Sequence, residues 1–301
     1  MLDYAQLEAV VAVIRTGSFE RAARHLGLTS SAVSQRVKLI EERIGAILVV
    51  RGQPCMATPA GQRLFRHAEE VALLEHALNA EMGVQDASVG MPSIRIAVNA
   101  DSLATWFVPA MAAVDNCLFD LVLDDQDHSA DWLRRGEVRA AVSGVSVAVQ
   151  GCDSRALGSL RYVATAGPGF MGQWFTDGVT LAALGAAPCL TFNAKDMLQS
   201  RWIASVFGEA VLPPTHWLPS SQAFVDATLA GIAWGMNPEP LVRDLIAAGR
   251  LVALLPDHPF DVPLFWHWSR SVQPALKVIT PAVMDAAARM LLPADQTRDR
   301  A

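Results

Sequence analysis

The first 45 residues set apolar positions in three short helical registers, the first two closed by glycines. Leu7, Val10, Val11 and Ile14 share one face of a helix that Asp3 can cap and Gly17 ends. Ser18 caps a second helix, FERAARHL, which Gly27 stops. Its Ala22-Ala23 pair is small enough for a following helix to cross closely. Thr29 caps a third, where Val33, Val37, Ile40 and Ile44 repeat at four, three and four and face inward. Ser31, Ser34, Gln35 and Lys38 fall on the opposite face. This pattern is a helix-turn-helix.

Thr58 followed by Pro59 starts a longer helix running to Gly83. Leu64, Val71, Leu74, Leu78 and Met82 lie at seven, three, four and four, close to a heptad seam. A helix of ~25 residues spans ~37 Å and cannot bury that stripe on a 60-residue module alone. A partner helix from a second copy, or packing on the rest of the chain, would cover it. VQDASVGMP (84–92) reads as a linker. Beyond it Ile94, Ile96 and Val98 alternate as a strand, LFDLVL and RAAVSG are further strands, and SADWLRR is a helix stopped by Gly136. Alternating strand and helix predicts an α/β domain with parallel pairing.

Charge divides the chain in the same place. Residues 1–66 hold nine Arg or Lys against five acids, a balance of +4, while the remainder carries −10. A basic module on an acidic body suits a polyanion bound at one end. With 301 residues, 52% apolar and 18% charged, the chain is globular and long enough for about two domains. No apolar run reaches membrane-spanning length and no signal pattern opens the chain, so a cytoplasmic location is expected. The four cysteines are scattered, and the histidines show no metal spacing. No cofactor is expected.

Ser and Gln at the start of the third helix are suited to base edges in the major groove, which makes Ser30, Ser31, Ser34 and Gln35 candidate readers of double-stranded promoter DNA. Arg36, Lys38 and Arg51 are candidate phosphate contacts. In the acidic body, ligands are expected beyond the carboxyl ends of strands. Asn99, Ala100, Asp101 and Ser102 join a strand to a helix start, where free N–H groups favour an anion. Asp125 and Asp127 end a second strand; Thr191 and Phe192 end a third, with Asp196 beyond. An anion cradle beside excess carboxylates suits a zwitterion with a cationic side chain, such as lysine or arginine. Asp101 as a helix cap and the Asp124–Asp127 run as a solvated loop are the plainer readings.

GSFERAARHLGLTSSAVSQRVKLIEERIG, then R51-G-Q-P54 and T58-P-A-G61, resembles the N-terminal domain of LysR-type transcriptional regulators through residues 2–64. Val49 stands where that family more often has an aromatic residue. The resemblance implies a winged helix-turn-helix (1–58) with its wing at 46–57, a dimerising linker helix (59–83) and a hinge (84–92). The effector-binding domain (93–301) would then be two-lobed, like periplasmic binding proteins, with crossings near Ala164 and Trp266. Lobe I is expected at 93–164 and 267–293, and lobe II at 165–266. VNADSLATWFVPA, DDQDHSADWLRRGEV and RYVATAGPGF resemble the ArgP/LysG branch. That implies a basic amino acid effector, control of a lysine/arginine exporter gene, and a homodimer that can assemble further to a tetramer. Two other classes stay open at this point. One is a two-lobed enzyme using Cys189 or Ser102, though no GxSxG, HExxH, P-loop or GxGxxG is present. The other is a DNA-architectural protein indifferent to small molecules.

Overall fold

The computed structural model describes residues 2–83, 91–124 and 129–294. It divides into two compact bodies, residues 1–94 with 116–118, and 95–115 with 119–301.

In the first body, α1 (Tyr4–Thr16), α2 (Phe19–Leu26) and α3 (Ser30–Ile44) start where the capping residues place them. Asp3 accepts from the N–H groups of Ala5 and Gln6, Ser18 from Arg21 and Thr29 from Ala32. Gly17, Gly27 and Gly45 end them in the left-handed conformation. Leu7, Val10, Val13, Ala22, Ala23, Val33, Val37 and Ile40 form their shared core. Ile44 does not join it: one turn past Ile40 the helix has run beyond the core, leaving Ile44 41% exposed. β1 (Val49–Val50) and β2 (Met56–Ala57) pair antiparallel as a wing. Val49 is buried there, so the shorter side chain still closes the wing against the core.

Helix α4 (Pro59–Glu81) opens with Thr58 accepting from the Gly61 N–H and Pro59 in the first turn. Of the seam residues Leu64 is buried, Leu74 half-buried, and Leu78 and Met82 are 54% and 67% exposed. Leu73, outside the seam, is buried.

In the second body, β3 (Ser93–Asn99) leads into α5 (Ala100–Ser102), a π-helical turn (Leu103–Phe107) and α6 (Val108–Ala112). β4 (Leu118–Asp124), α7 (Ser129–Arg134) and β5 (Ala140–Ser143) follow. β3 and β5 pair parallel, as the alternation requires. The 15-residue β6 (Cys152–Ala166) then runs out of this lobe. α8 (Pro168–Trp174), α9 (Leu181–Ala186), β7 (Cys189–Thr191), α10 (Leu198–Phe207), β8 (Thr215–Trp217) and α11 (Ser221–Leu229) come next. With β9 (Gly235–Pro238), α12 (Glu239–Ala247) and β10 (Val252–Ala253) they build a second lobe. β11 (Phe260–Ser269) returns, and α13 (Ile279–Met290) closes on the first.

The larger sheet runs β10-β6-β11-β5-β3-β4, with β9 also on β6; β7 and β8 form a separate parallel pair. β6 pairs with β11 from Cys152 to Tyr162, then with β9 from Tyr162 to Thr165. Tyr162 therefore sits where β6 changes partners, between the lobes. Ala164 and Trp266 lie within β6 and β11.

Candidate functional site

Two surfaces combine the required chemistry, one on each body. On the first body Ser30, Ser31, Gln35 and Lys38 are exposed on α3, and Ser34 and Arg36 are partly so. Lys38 pairs with Glu42 one turn on, at 3.6 Å. The exposed Arg51 reaches back from the wing: its guanidinium lies 4.9 Å from the Phe19 ring centre and donates to Ser34 Oγ at 3.1 Å. Recognition helix and wing are thus tied at their polar edges. Arg21, Arg24 and Arg51 line a groove between the start of α2 and the wing. Sequence reading counted the first two only as charge, because their meeting with the wing depends on the crossing of α2.

The second surface is a small cleft between the lobes. Asn99, Ala100 and Asp101 enter from the end of β3; Phe192, Asp196, Leu198, Gln199, Ser221, Phe224, Met236 and Pro238 enter from the other lobe. Asp101 is not the cap of its helix. Its Oδ2 accepts from the Tyr162 hydroxyl at 2.7 Å and its Oδ1 from Ser221 Oγ at 2.5 Å, which joins the crossing strand and both lobes at one carboxylate. Burial raises its pKa above the usual carboxylate range; these two hydrogen bonds oppose the rise and the Asp196 charge adds to it. Asp196 accepts from the Phe192 and Leu198 N–H groups at 3.0 and 2.9 Å, fixing the turn that leads into α10.

Asn99 is 1% exposed with both amide atoms unpartnered, and the buried Ser102 Oγ is unpartnered too. Buried polar groups normally have partners, so this end of the cleft can satisfy a polar group that enters it. Ser102 lies behind the lining, however, and Thr191 turns inward to Cys189 (Oγ1···Sγ 3.8 Å), so neither reaches the cavity wall. Asp125 and Asp127 lie outside the described residues. The sequence missed Tyr162, Gln199 and Ser221. The tandem Ser220-Ser221 was a usable signal, since one serine caps α11 and the second is left to face the cleft.

Residues 4–62 match the bacterial regulatory helix-turn-helix protein, lysR family, and residues 90–286 the LysR substrate binding domain. The chain belongs to the LysR family. Within the family, LysG of Mycobacterium tuberculosis is 43% identical over 286 residues, covering 95% of this chain and 94% of that one. The crystal structure of ArgP from Mycobacterium tuberculosis superposes with a TM-score of 0.77 at 42% identity, over 97% of this chain and 99% of that one. Full-length LysG from Corynebacterium glutamicum, solved with bound effector Arg, gives 0.61 at 35% identity, over 97% and 100%. LysR proteins of this kind are transcriptional regulators, and the enzyme alternative gives way to that membership. Burial pushes the Cys189 thiol up, the opposite of what a nucleophile needs. Among the described residues of this LysR-family chain, no helix is long and apolar enough to cross a membrane, and no group of His, Cys, Asp or Glu converges on a metal site.

Proposed function

We propose that this regulator binds promoter DNA as a homodimer in the cytoplasm and senses a basic amino acid, lysine or arginine, in the cleft at Asp101. The gene it controls is proposed to be an amino-acid exporter, as the ArgP/LysG resemblance implies. The observation that carries the effector reading is the Asp101 carboxylate, held from two sides in a cavity that also contains Asp196 and the unpartnered Asn99. Two carboxylates in one small cavity favour a cationic occupant, and an unpaired amide beside them favours a polar head group. The arginine bound to the Corynebacterium glutamicum relative supports the same class. Asp125 and Asp127 keep a proposed part at the distal cation.

Calorimetric titration with lysine, arginine, histidine and norleucine tests this. A charge-assisted hydrogen bond is worth roughly 1.5–3 kcal/mol, so Asp101→Asn is expected to weaken lysine or arginine binding tenfold or more by that measure, at about 1.4 kcal/mol per decade. The sign of the pH dependence follows from the raised pKa. In the empty cleft Asp101 takes up a proton at a higher pH than an ordinary carboxylate, whereas a bound cation requires it ionised. Affinity is therefore full above that raised value and falls as pH is lowered through it, with proton release on binding; Asp101→Asn removes the slope. Wild-type protein indifferent to every basic amino acid would sink the reading.

On the DNA side, Gln35→Ala is expected to lose about 1–3 kcal/mol at the cognate site and little on random duplex. Arg51→Ala should weaken both and flatten the salt dependence, with the further loss of its hold on Ser34. Equal weakening of cognate and random DNA by Gln35→Ala would show that α3 presents a different edge.

A further inference from the structure

Gln199 is the odd residue of its helix face. α10 buries Leu198, Trp202 and Ile203 beside it, so an apolar side chain would serve packing equally well. Instead an amide stands there, 3% exposed, lining the cleft, with Nε2 bonded to nothing. An N–H buried without an acceptor is costly and rare. An amide that faces a cavity can be satisfied by what enters it. Its requirement is an acceptor, and the carboxylates nearby cannot be delivered to it as a mobile partner: Asp196 is fixed by two backbone N–H groups and Asp101 by Tyr162 and Ser221. Across the cavity Asn99 presents a second unpartnered amide from the other lobe. The cavity thus sets acceptors at Asp101 and Asp196 beside an unpaired donor at Gln199, and Asn99 adds an unpaired N–H donor together with an unpaired carbonyl oxygen.

We infer that Gln199 takes the carboxylate of the effector, with Asn99 as the donor from the opposite lobe, and that it makes the cleft select amino acids over the corresponding amines. This rests on the basic amino acid reading and deepens it. A decarboxylated ligand such as agmatine or cadaverine keeps the cation that Asp101 accepts but leaves both amides unsatisfied. Rejection of a ligand that lacks the matching group is the stronger form of discrimination, because the unpaired polar groups stay buried in the complex.

The test is calorimetry on the full-length protein with arginine, lysine and norleucine against agmatine, cadaverine and pentylamine. Wild-type protein is expected to bind each amino acid at least about tenfold more tightly than its amine. Gln199→Leu should remove most of that preference by lowering amino-acid affinity about tenfold while leaving the amines unchanged. Its thermal unfolding temperature should hold or rise, because a buried unpaired amide has been replaced by an apolar group of similar size. A residue that served only the fold would give the reverse, a falling unfolding temperature with affinities untouched. Unchanged arginine affinity in Gln199→Leu, or equal losses for arginine and agmatine, overturns the assignment alone. Wild-type binding of norleucine but not of lysine or arginine overturns the basic-side-chain reading while the Gln199 comparison stands. Binding of none of the three amino acids overturns both.

Discussion

Gly61→Ala is expected to destabilise the DNA-binding body by about 3 kcal/mol or more, enough to unfold it at moderate temperature. Two effects oppose one another at this position. Alanine is the better helix former by roughly 1 kcal/mol, and Gly61 lies in the first turn of α4, where the change would ordinarily help. But a Cβ built on Gly61 would stand 1.9 Å from the Leu48 carbonyl oxygen and 2.9 Å from its carbon. That oxygen is backbone and cannot rotate aside. It accepts from the Thr58 N–H at 3.0 Å, and Thr58 Oγ1 is bonded to the Ile47 carbonyl at 2.7 Å, so a shift would also undo the cap of α4 and the wing junction. The clash wins. Gly172→Ala in α8 is the control, since nothing lies within 4 Å of its Cβ and its backbone is ordinary helix; it should be neutral or gain a few tenths of a kcal/mol. Thermal unfolding with DNA binding as a second readout decides the matter, and a Gly61→Ala protein with wild-type melting and DNA affinity would disprove the packing described.

Leu74→Asp combined with Leu78→Asp is expected to convert the proposed dimer to a monomer that has lost its affinity for a two-fold DNA site. These two positions suit the test because the chain itself does not bury them deeply: Leu74 is half-buried and Leu78 54% exposed, so each chain can still fold. Leu73 would be the wrong choice, being buried within the chain. Met82, a turn beyond Leu78, extends the exposed apolar stripe. A second copy of α4 laid against it would cover these residues, and burying two unpaired carboxylates there costs several kcal/mol. At ~1.4 kcal/mol per decade, the dimer dissociation constant should rise by about a thousandfold or more. Light scattering during size exclusion measures it; a dimeric, DNA-competent double variant would exclude this face as the interface.

The helix-turn-helix was legible because its determinants are local. Asp3, Ser18 and Thr29 each cap a helix within three residues, and Gly17, Gly27 and Gly45 supply left-handed ends. Ile44 was misassigned because periodicity has no knowledge of where a core stops. The parallel pairing of β3 and β5 was equally readable, from strands alternating with helices. That Asn99 and Asp101 line the cleft was readable because a strand end before a helix start lies at the edge of an α/β sheet where clefts form.

What the sequence by itself determined is therefore everything set by neighbours within a turn or two: caps, helix ends, the inward stripe of α3, the basic and acidic halves, and the strand-end position of Asp101. Only the tertiary structure decided what Asp101 meets. Tyr162 stands 61 residues away on β6 and Ser221 120 residues away at the start of α11, and both reach it because β6 carries the chain between lobes that share one cleft. The same holds for Gln199, an unremarked amide in a helix until the fold buries it without a partner, and for Gly61, whose need to be glycine is set by a carbonyl thirteen residues earlier in the wing. Local rules act through the backbone of adjacent residues; desolvation, charge pairing and steric contact act through space, and only the folded chain specifies which groups share that space.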